Sequence, residues 1–398
     1  MNPRFKLLKP YPFEQYRKIL AGVEPDASRP FIDLSIGEPK HPTPAAIRTA
    51  LAENLDGLGI YPPTAGSPEL RTAIAEWLNR RFAPAHFEPT TDVLPVLGSR
   101  EALFALTQTL IDPYGQSVVI SPNPFYQIYE GAALMAGASM HYVAQTPEAA
   151  HTCDWASIPA SIWKRTALVF VCTPGNPTGS VISRDEWAYL FELRDKYGFV
   201  IASDECYSEL YAPDDEPPLG CLQANALLGR SPEGLVALGS LSKRSNAPGM
   251  RSGYIAGDPA IIKTFLQYRT YHGSAMSPPV QKASIAAWQD ETHVQQNRAL
   301  YDEKYRAVVA PLAKVLDVSR PRAGFYLWAG VPGGDDIEFS VELFRQYNVR
   351  VLPGSLLGRE IDGHNPGSGK IRIALVAGLA ECTEACERIV QFCASRQS

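Results

Sequence analysis

Val200-Ile201-Ala202-Ser203-Asp204-Glu205-Cys206-Tyr207 sets a short apolar run directly against an acidic cluster that ends in a tyrosine. A run of this length, bounded in this way, reads as a buried strand, and Leu235 to Leu238 repeats the pattern before Gly239-Ser240-Leu241-Ser242-Lys243. Working outward, Ser117 to Ile120 and Ala167 to Cys172 are further strand candidates. Val93-Leu94-Pro95-Val96-Leu97 feeds Gly98-Ser99-Arg100-Glu101, after which Ala102 to Leu110 carries helical apolar spacing. Each run stops just before residues with chemical character, and open parallel sheets bind ligands beyond the carboxyl ends of their strands. The alternation of short apolar runs with helical segments between Pro44 and Ala287 predicts a doubly wound α/β domain with a mostly parallel sheet.

At 398 residues the chain exceeds the size at which one hydrophobic core stops growing, so two domains are expected. The large one takes residues 44–287. A smaller α+β domain takes 1–43 and 288–398, where amphipathic helix patterns surround a strand pair at Gly324 to Trp328 and Lys370 to Ala374. Ser67-Pro68-Glu69-Leu70 marks a helix start, with Ser67 as cap and Pro68 in the first turn. A net charge of −5, with basic residues scattered, gives no footprint for nucleic acid or an anionic membrane. The opening Met1-Asn2-Pro3-Arg4-Phe5 has no sustained apolar core, and Ala167 to Cys172 is too short to span a bilayer, so a cytoplasmic protein is expected. Seven cysteines without a C-x-x-C pair, three of them (Cys382, Cys386, Cys393) at helix-like spacing, read as packed thiols. The seven histidines form no ligand cluster, so no metal is expected.

The chemistry gathers around Lys243. Taken alone, a lysine at a strand end is a solvated loop charge. Ser240 and Ser242 before it and Arg251 in Arg251-Ser252-Gly253-Tyr254 after it change that reading, because they supply donors for a dianionic phosphate beside an amine able to attack an aldehyde carbon. Asp204 is either a helix cap or a carboxylate that keeps a pyridine nitrogen protonated. Tyr207, three residues on, and Asn176 in Thr173-Pro174-Gly175-Asn176-Pro177-Thr178-Gly179 could each hydrogen-bond the 3′-oxygen of such a ring, although turns of this composition are common. Gly98-Ser99-Arg100 at a strand-to-helix junction offers N–H groups and a helix N-terminus to phosphate. Tyr126 could stack on the ring or pack in the core.

Asn176-Pro177-Thr178-Gly179, Asp204-Glu205-Cys206-Tyr207, Ser240-Leu241-Ser242-Lys243 and Arg251-Ser252-Gly253-Tyr254 occur in the order and at about the spacing of the fold-type I, class I pyridoxal-phosphate aminotransferases, which the whole chain resembles. It looks closest to the bacterial N-succinyl-L,L-diaminopimelate aminotransferases, through segments such as Gly37-Glu38-Pro39-Lys40-His41-Pro42, Pro124-Phe125-Tyr126-Gln127 and Tyr268-Arg269-Thr270-Tyr271-His272. The resemblance implies pyridoxal 5′-phosphate (PLP) as cofactor, Lys243 as its Schiff-base lysine, Asp204 as partner of the ring nitrogen, and Tyr207 and Asn176 on the 3′-oxygen. It further implies Ser99, Arg100, Ser240, Ser242 and Arg251 around the phosphate and Tyr126 against the ring, a match by position rather than identity. Tyr61 would reach the phosphate of a neighbouring subunit, which makes a homodimer the working unit. Arg372 would grip the substrate α-carboxylate, with the Gly37 backbone and Asn176 beside it. Asn123–Pro124 and Asn176–Pro177 would be cis.

The substrates implied are small amino and keto acids. Lys40, Arg244 (in Ser242-Lys243-Arg244-Ser245-Asn246) and Arg269 lie in the subfamily-like segments and stand as candidates for the far carboxylates of a long substrate. An aspartate aminotransferase or a carbon–sulfur β-lyase would share the whole cofactor set. A PLP-fold transcriptional regulator lacks support, since no basic helix-turn-helix precedes the Asn176 region. A nicotinamide enzyme lacks support too, since no G-x-G-x-x-G follows the first strands.

Overall fold

Apolar residues fill both faces of the central strands, which accounts for a layered architecture in the computed structural model, whose described residues are 1–145 and 151–396. Along Thr166–Cys172, Leu168 and Phe170 point to one core while Val169 and Val171 point to the other. Val236 and Leu238 likewise oppose Leu235 and Ala237. Because strand side chains alternate, a near-continuous apolar run must be covered on both sides, and helices pack on both faces. Full burial of each such side chain is worth roughly 1.5–3 kcal/mol relative to exposure.

The strands in chain order are β1 (Ile32–Asp33), β2 (Val93–Val96), β3 (Val118–Asn123), β4 (Ser139–Ala144), β5 (Thr166–Cys172), β6 (Val200–Asp204), β7 (Leu235–Ser240), β8 (Gly253–Gly257), β9 (Tyr326–Gly330), β10 (Val349–Arg350), β11 (Leu352–Pro353) and β12 (Lys370–Ala374). The large sheet has the order β2-β8-β7-β6-β5-β3-β4, with β8 antiparallel to both neighbours and the other pairings parallel. Cys172 of β5 pairs with Asp204 of β6, so these strands end at one edge. Because β8 runs the other way, it begins at that same edge, with Gly253 opposite Ser240. Arg251, two residues before β8, is thereby brought to the carboxyl ends of the parallel strands by a strand that runs the opposite way.

A second core joins Ile32 and Leu34 to Leu312, Leu327, Ile373 and Phe392. It is built on the antiparallel sheet β11-β12-β9, with β1 pairing in parallel with β10, Ile32 opposite Val349. Ser67 caps Pro68–Arg81 as expected, its Oγ accepting from the Leu70 N–H at 3.2 Å. All seven cysteines are free, and Cys382, Cys386 and Cys393 are buried on the helix Leu379–Ser395. Asn123–Pro124 and Asn176–Pro177 are both cis, as are Thr173–Pro174 and Ala83–Pro84. Among the described residues no helix is long and apolar enough to cross a membrane, and no group of His, Cys, Asp and Glu is placed to hold a metal ion.

Candidate active site

At the shared edge, the β2-to-helix junction forms one wall of a cup. Gly98 has φ +81°, and a Cβ there would lie 2.2 Å from Arg251 Nη2, so only glycine lets the arginine approach. Ser99 opens the helix Ser99–Leu110, whose first N–H groups and dipole face the cup. Ser240 and Ser242 close it, 2.8 Å apart through their hydroxyls. Arg251 itself sits at φ +52° and is held by the carbonyls of Pro248 (3.0 Å) and Leu97 (3.3 Å). Hydroxyls, a guanidinium and a helix N-terminus converging on one place make a receptor for a dianion.

Lys243 stands beside the cup on the short helix that follows β7, and its Nζ donates to the Gly37 carbonyl at 2.5 Å. Burial pushes its amine down to about 8, the nearby Arg372 and Arg100 acting in the same direction. Asp204, at the end of β6, is buried and accepts from the Tyr129 hydroxyl at 2.9 Å. Burial raises its carboxyl above the ordinary range against the pull of those hydrogen bonds, which suits a site that supplies a cation of its own. The Tyr207 hydroxyl lies 3.1 Å from that of Tyr326. Arg372, on β12, donates to the Ser35 carbonyl (2.8 Å) and to Asn176 Oδ1 (2.9 Å), with its guanidinium 4.3 Å over the Tyr326 ring. That contact orients the Asn176 amide: Oδ1 is committed to the arginine, leaving Nδ2 as a donor. A Cβ on Gly37 would fall 1.8 Å from the Tyr326 hydroxyl, so the backbone passes close to the ring only because no side chain intervenes. Tyr126 accepts from Arg100 Nε at 2.7 Å.

Every residue expected around the cofactor or the α-carboxylate, except Tyr61, lines one cavity of about 490 Å³. The Tyr61 side chain is fully exposed, away from this chain's own cavity. Tyr11, Phe13, Ile36, Glu38, Gln127 and Leu357 also line the cavity and escaped the sequence reading. For Glu38 and Gln127 the hint was their place in the quoted segments that resemble the subfamily. Tyr129, which orients Asp204, was likewise missed; it lies one helical turn past Tyr126 and carries no signal of its own.

The three cations expected at the far end of a long substrate are corrected. Arg244 is buried between Trp77 and Trp288, its guanidinium 5.2 and 5.0 Å from their rings, and it pairs with Glu291. Arg269 is buried against Phe265, bonded to the Pro95 carbonyl at 2.9 Å and facing Glu101. Lys40 is exposed and lies outside the cavity lining. Two are structural cations that stitch helices together, and the third faces water.

The donor set fits PLP. The cup matches its phosphate, the buried Asp204 carboxylate its ring nitrogen, Asn176 and Tyr207 its phenolic oxygen, and Lys243 its aldehyde. Arg372 Nε is buried without a hydrogen-bond partner among the described residues, which leaves a donor open to a carboxylate.

Residues 29–389 match the family model described as aminotransferase class I and II. The LL-diaminopimelate aminotransferase of Desulforudis audaxviator is 32% identical over 391 residues, 97% of this chain and 96% of that protein. Among solved structures, an aminotransferase from Neisseria meningitidis superposes with a TM-score of 0.96 at 53% identity, covering 98% of this chain and all of the other. A probable N-succinyldiaminopimelate aminotransferase from Thermus thermophilus gives a TM-score of 0.84 at 26% identity, covering 98% and 99%.

Proposed function

Since the chain belongs to the class I and II aminotransferases, enzymes that work through PLP on amino and keto acids, we propose that it exchanges the amino group of N-succinyl-L,L-diaminopimelate with 2-oxoglutarate. What carries this reading is the convergence of Lys243, Asp204, Asn176, Tyr207 and Arg372 on one cavity at the strand ends. When bound, the cofactor supplies an aldehyde carbon for the amine and a ring that takes up the electron pair left at the substrate Cα. Lys243 would hold the cofactor through its amine, and that amine, once free, would carry the Cα proton. Asp204 keeps a negative charge opposite the ring nitrogen. Asn176 Nδ2 and the Tyr207 hydroxyl steady the phenolic oxygen. Arg372 grips the α-carboxylate and turns the substrate so that its Cα–H bond, not its carboxylate, is broken.

The long substrate is supported by the subfamily-like segments and by the activity for which the Thermus thermophilus neighbour is named. The name of the Desulforudis relative favours a second reading, unacylated L,L-diaminopimelate. Specificity constants for the two diaminopimelates and for aspartate, with 2-oxoglutarate fixed, separate these readings. The succinylated compound is expected to lead by roughly tenfold or more, since one well-matched group is worth about 1–3 kcal/mol. A lead for the free diamine or for aspartate would reassign the substrate and leave the chemistry unchanged.

A homodimer is part of the same reading. Leu55, Leu58 and Ile60 are exposed together beside Tyr61, and Tyr271 is 88% exposed, an apolar surface that a second copy would cover. Sedimentation should give the mass of two chains. Tyr61→Phe should weaken cofactor binding by about a factor of ten, one hydrogen bond to a charged group, with the mass unchanged. A monomer with full activity would rule the shared site out.

A further inference from the structure

A run of side-chain hydrogen bonds leads away from the back of Lys243 into the second core. Asn297, buried on the helix Thr292–Leu312, donates its amide to the main-chain carbonyl of Lys243 at 3.3 Å. Its Oδ1 faces His41 Nδ1 at 2.9 Å and also accepts from the Asn246 amide at 3.0 Å. The other ring nitrogen of His41 lies 2.6 Å from Lys304 Nζ, and that ammonium donates as well to the Leu375 carbonyl at 3.1 Å. An ammonium can only donate, so His41 Nε2 must accept and His41 Nδ1 must carry the proton. Every bond in the run therefore points the same way, from Lys304 through His41 and Asn297 to the carbonyl of Lys243.

The ends of this run are informative. Leu375 lies three residues past Arg372, and His41 lies four residues past Gly37, whose carbonyl holds Lys243 Nζ. Thr43 adds a second tie by donating to the Asn246 carbonyl at 2.6 Å. Asn297 and Lys304 are each only 2% exposed, and a buried lysine set against a histidine rather than a carboxylate is costly to keep. Core packing alone would favour a methionine or leucine at such a position.

We propose that Asn297, His41 and Lys304 are positioning residues, a relay that fixes Lys243 through its own main chain and holds it in register with the strand bearing Arg372 and the loop bearing Gly37. The inference rests on the assignment of Lys243 as the cofactor lysine. Proton transfer by Lys243 needs its amine aligned with the substrate Cα, and an error of about 1 Å can cost about a hundredfold in rate. Substrate binding through Arg372 and the cofactor contacts of the cup do not pass through the relay, so they should be spared when it is cut.

The test uses the purified holoenzyme and three variants: Asn297→Ala, His41→Ala and His41→Gln. In the glutamine variant the amide oxygen can accept from Lys304 while the amide nitrogen donates to Asn297, as the two ring nitrogens do. The measurements are the visible cofactor absorption, cofactor affinity of the apo-protein, thermal midpoint, KM and the single-turnover rate of Cα-proton loss. The alanine variants should keep the visible band, with affinity and KM within about threefold of the parent, while proton loss slows about 10- to 100-fold. His41→Gln should recover most of that rate. Unchanged proton loss in Asn297→Ala overturns the relay, as does equal impairment of His41→Gln and His41→Ala. A lowered thermal midpoint in all three that tracks the rate loss would show a merely structural network and also overturns it. Absence of the band from the parent protein would instead strike the cofactor assignment itself.

Discussion

Replacing Lys243 by alanine is expected to abolish transamination, with a fall of roughly 10⁴-fold or more, because in the function proposed above one amine would serve both as the covalent anchor of the cofactor and as the proton carrier. With its amine lowered to about 8, about a tenth is neutral at pH 7, against fewer than about one in a thousand at an ordinary lysine value. The cup formed by Ser99, Ser240, Ser242 and Arg251 is untouched by the substitution, so the apo-protein should still take up PLP. The absorption should then be that of free cofactor and should no longer respond to pH as a lysine-bonded one does. Stopped-flow absorption and steady-state turnover on the same sample decide the matter. Near-normal turnover in Lys243→Ala would sink the assignment.

Asp204→Ala should produce the second largest loss. A pair of unit charges about 4 Å apart at an effective dielectric of about 20 is worth about 4 kcal/mol, so removing one member should slow Cα-proton loss roughly a thousandfold. Cofactor affinity should fall far less, since the cup holds the phosphate independently. Asp204→Asn tests the charge with the shape kept, because an amide can still meet the Tyr129 hydroxyl but cannot offset a ring cation. Equal losses in affinity and proton transfer, read by single-turnover kinetics, would mark Asp204 as a structural cap.

Much of the architecture was readable because strand periodicity and strand-end chemistry coincide. Asp204, Lys243 and Asn176 each follow an apolar run, and order along the chain translates directly into adjacency at the edge of a parallel sheet. β8 was not read as a strand, since Gly253-Tyr254-Ile255-Ala256-Gly257 is short and bounded by glycines, and its reversed direction depends on a pairing that no local pattern encodes. Arg372 was placed by resemblance; its bond to Asn176 spans 196 positions and has no local signature. Arg244 and Arg269 misled for a physical reason. A charged residue is presumed solvated unless a partner is known, and Glu291, Trp77 and Trp288 are brought to Arg244, and Glu101 to Arg269, by segments distant in sequence.

The pairing of Ile32 with Val349 bears on how the chain is made. The second core joins segments far apart in the chain: Ile32 and Leu34 are made more than 300 residues before Ile373, Ile389 and Phe392. The seven-stranded sheet is complete by Gly257 and can begin to pack while the rest of the polypeptide is still being polymerised. Until then the segment around Ile32 waits without its partners, and the loop closed by its pairing with Val349 spans 317 residues. Arg372 joins the cavity only with that late closure, so a nascent chain would possess a phosphate cup and a reactive lysine before it possessed any means of selecting an amino acid.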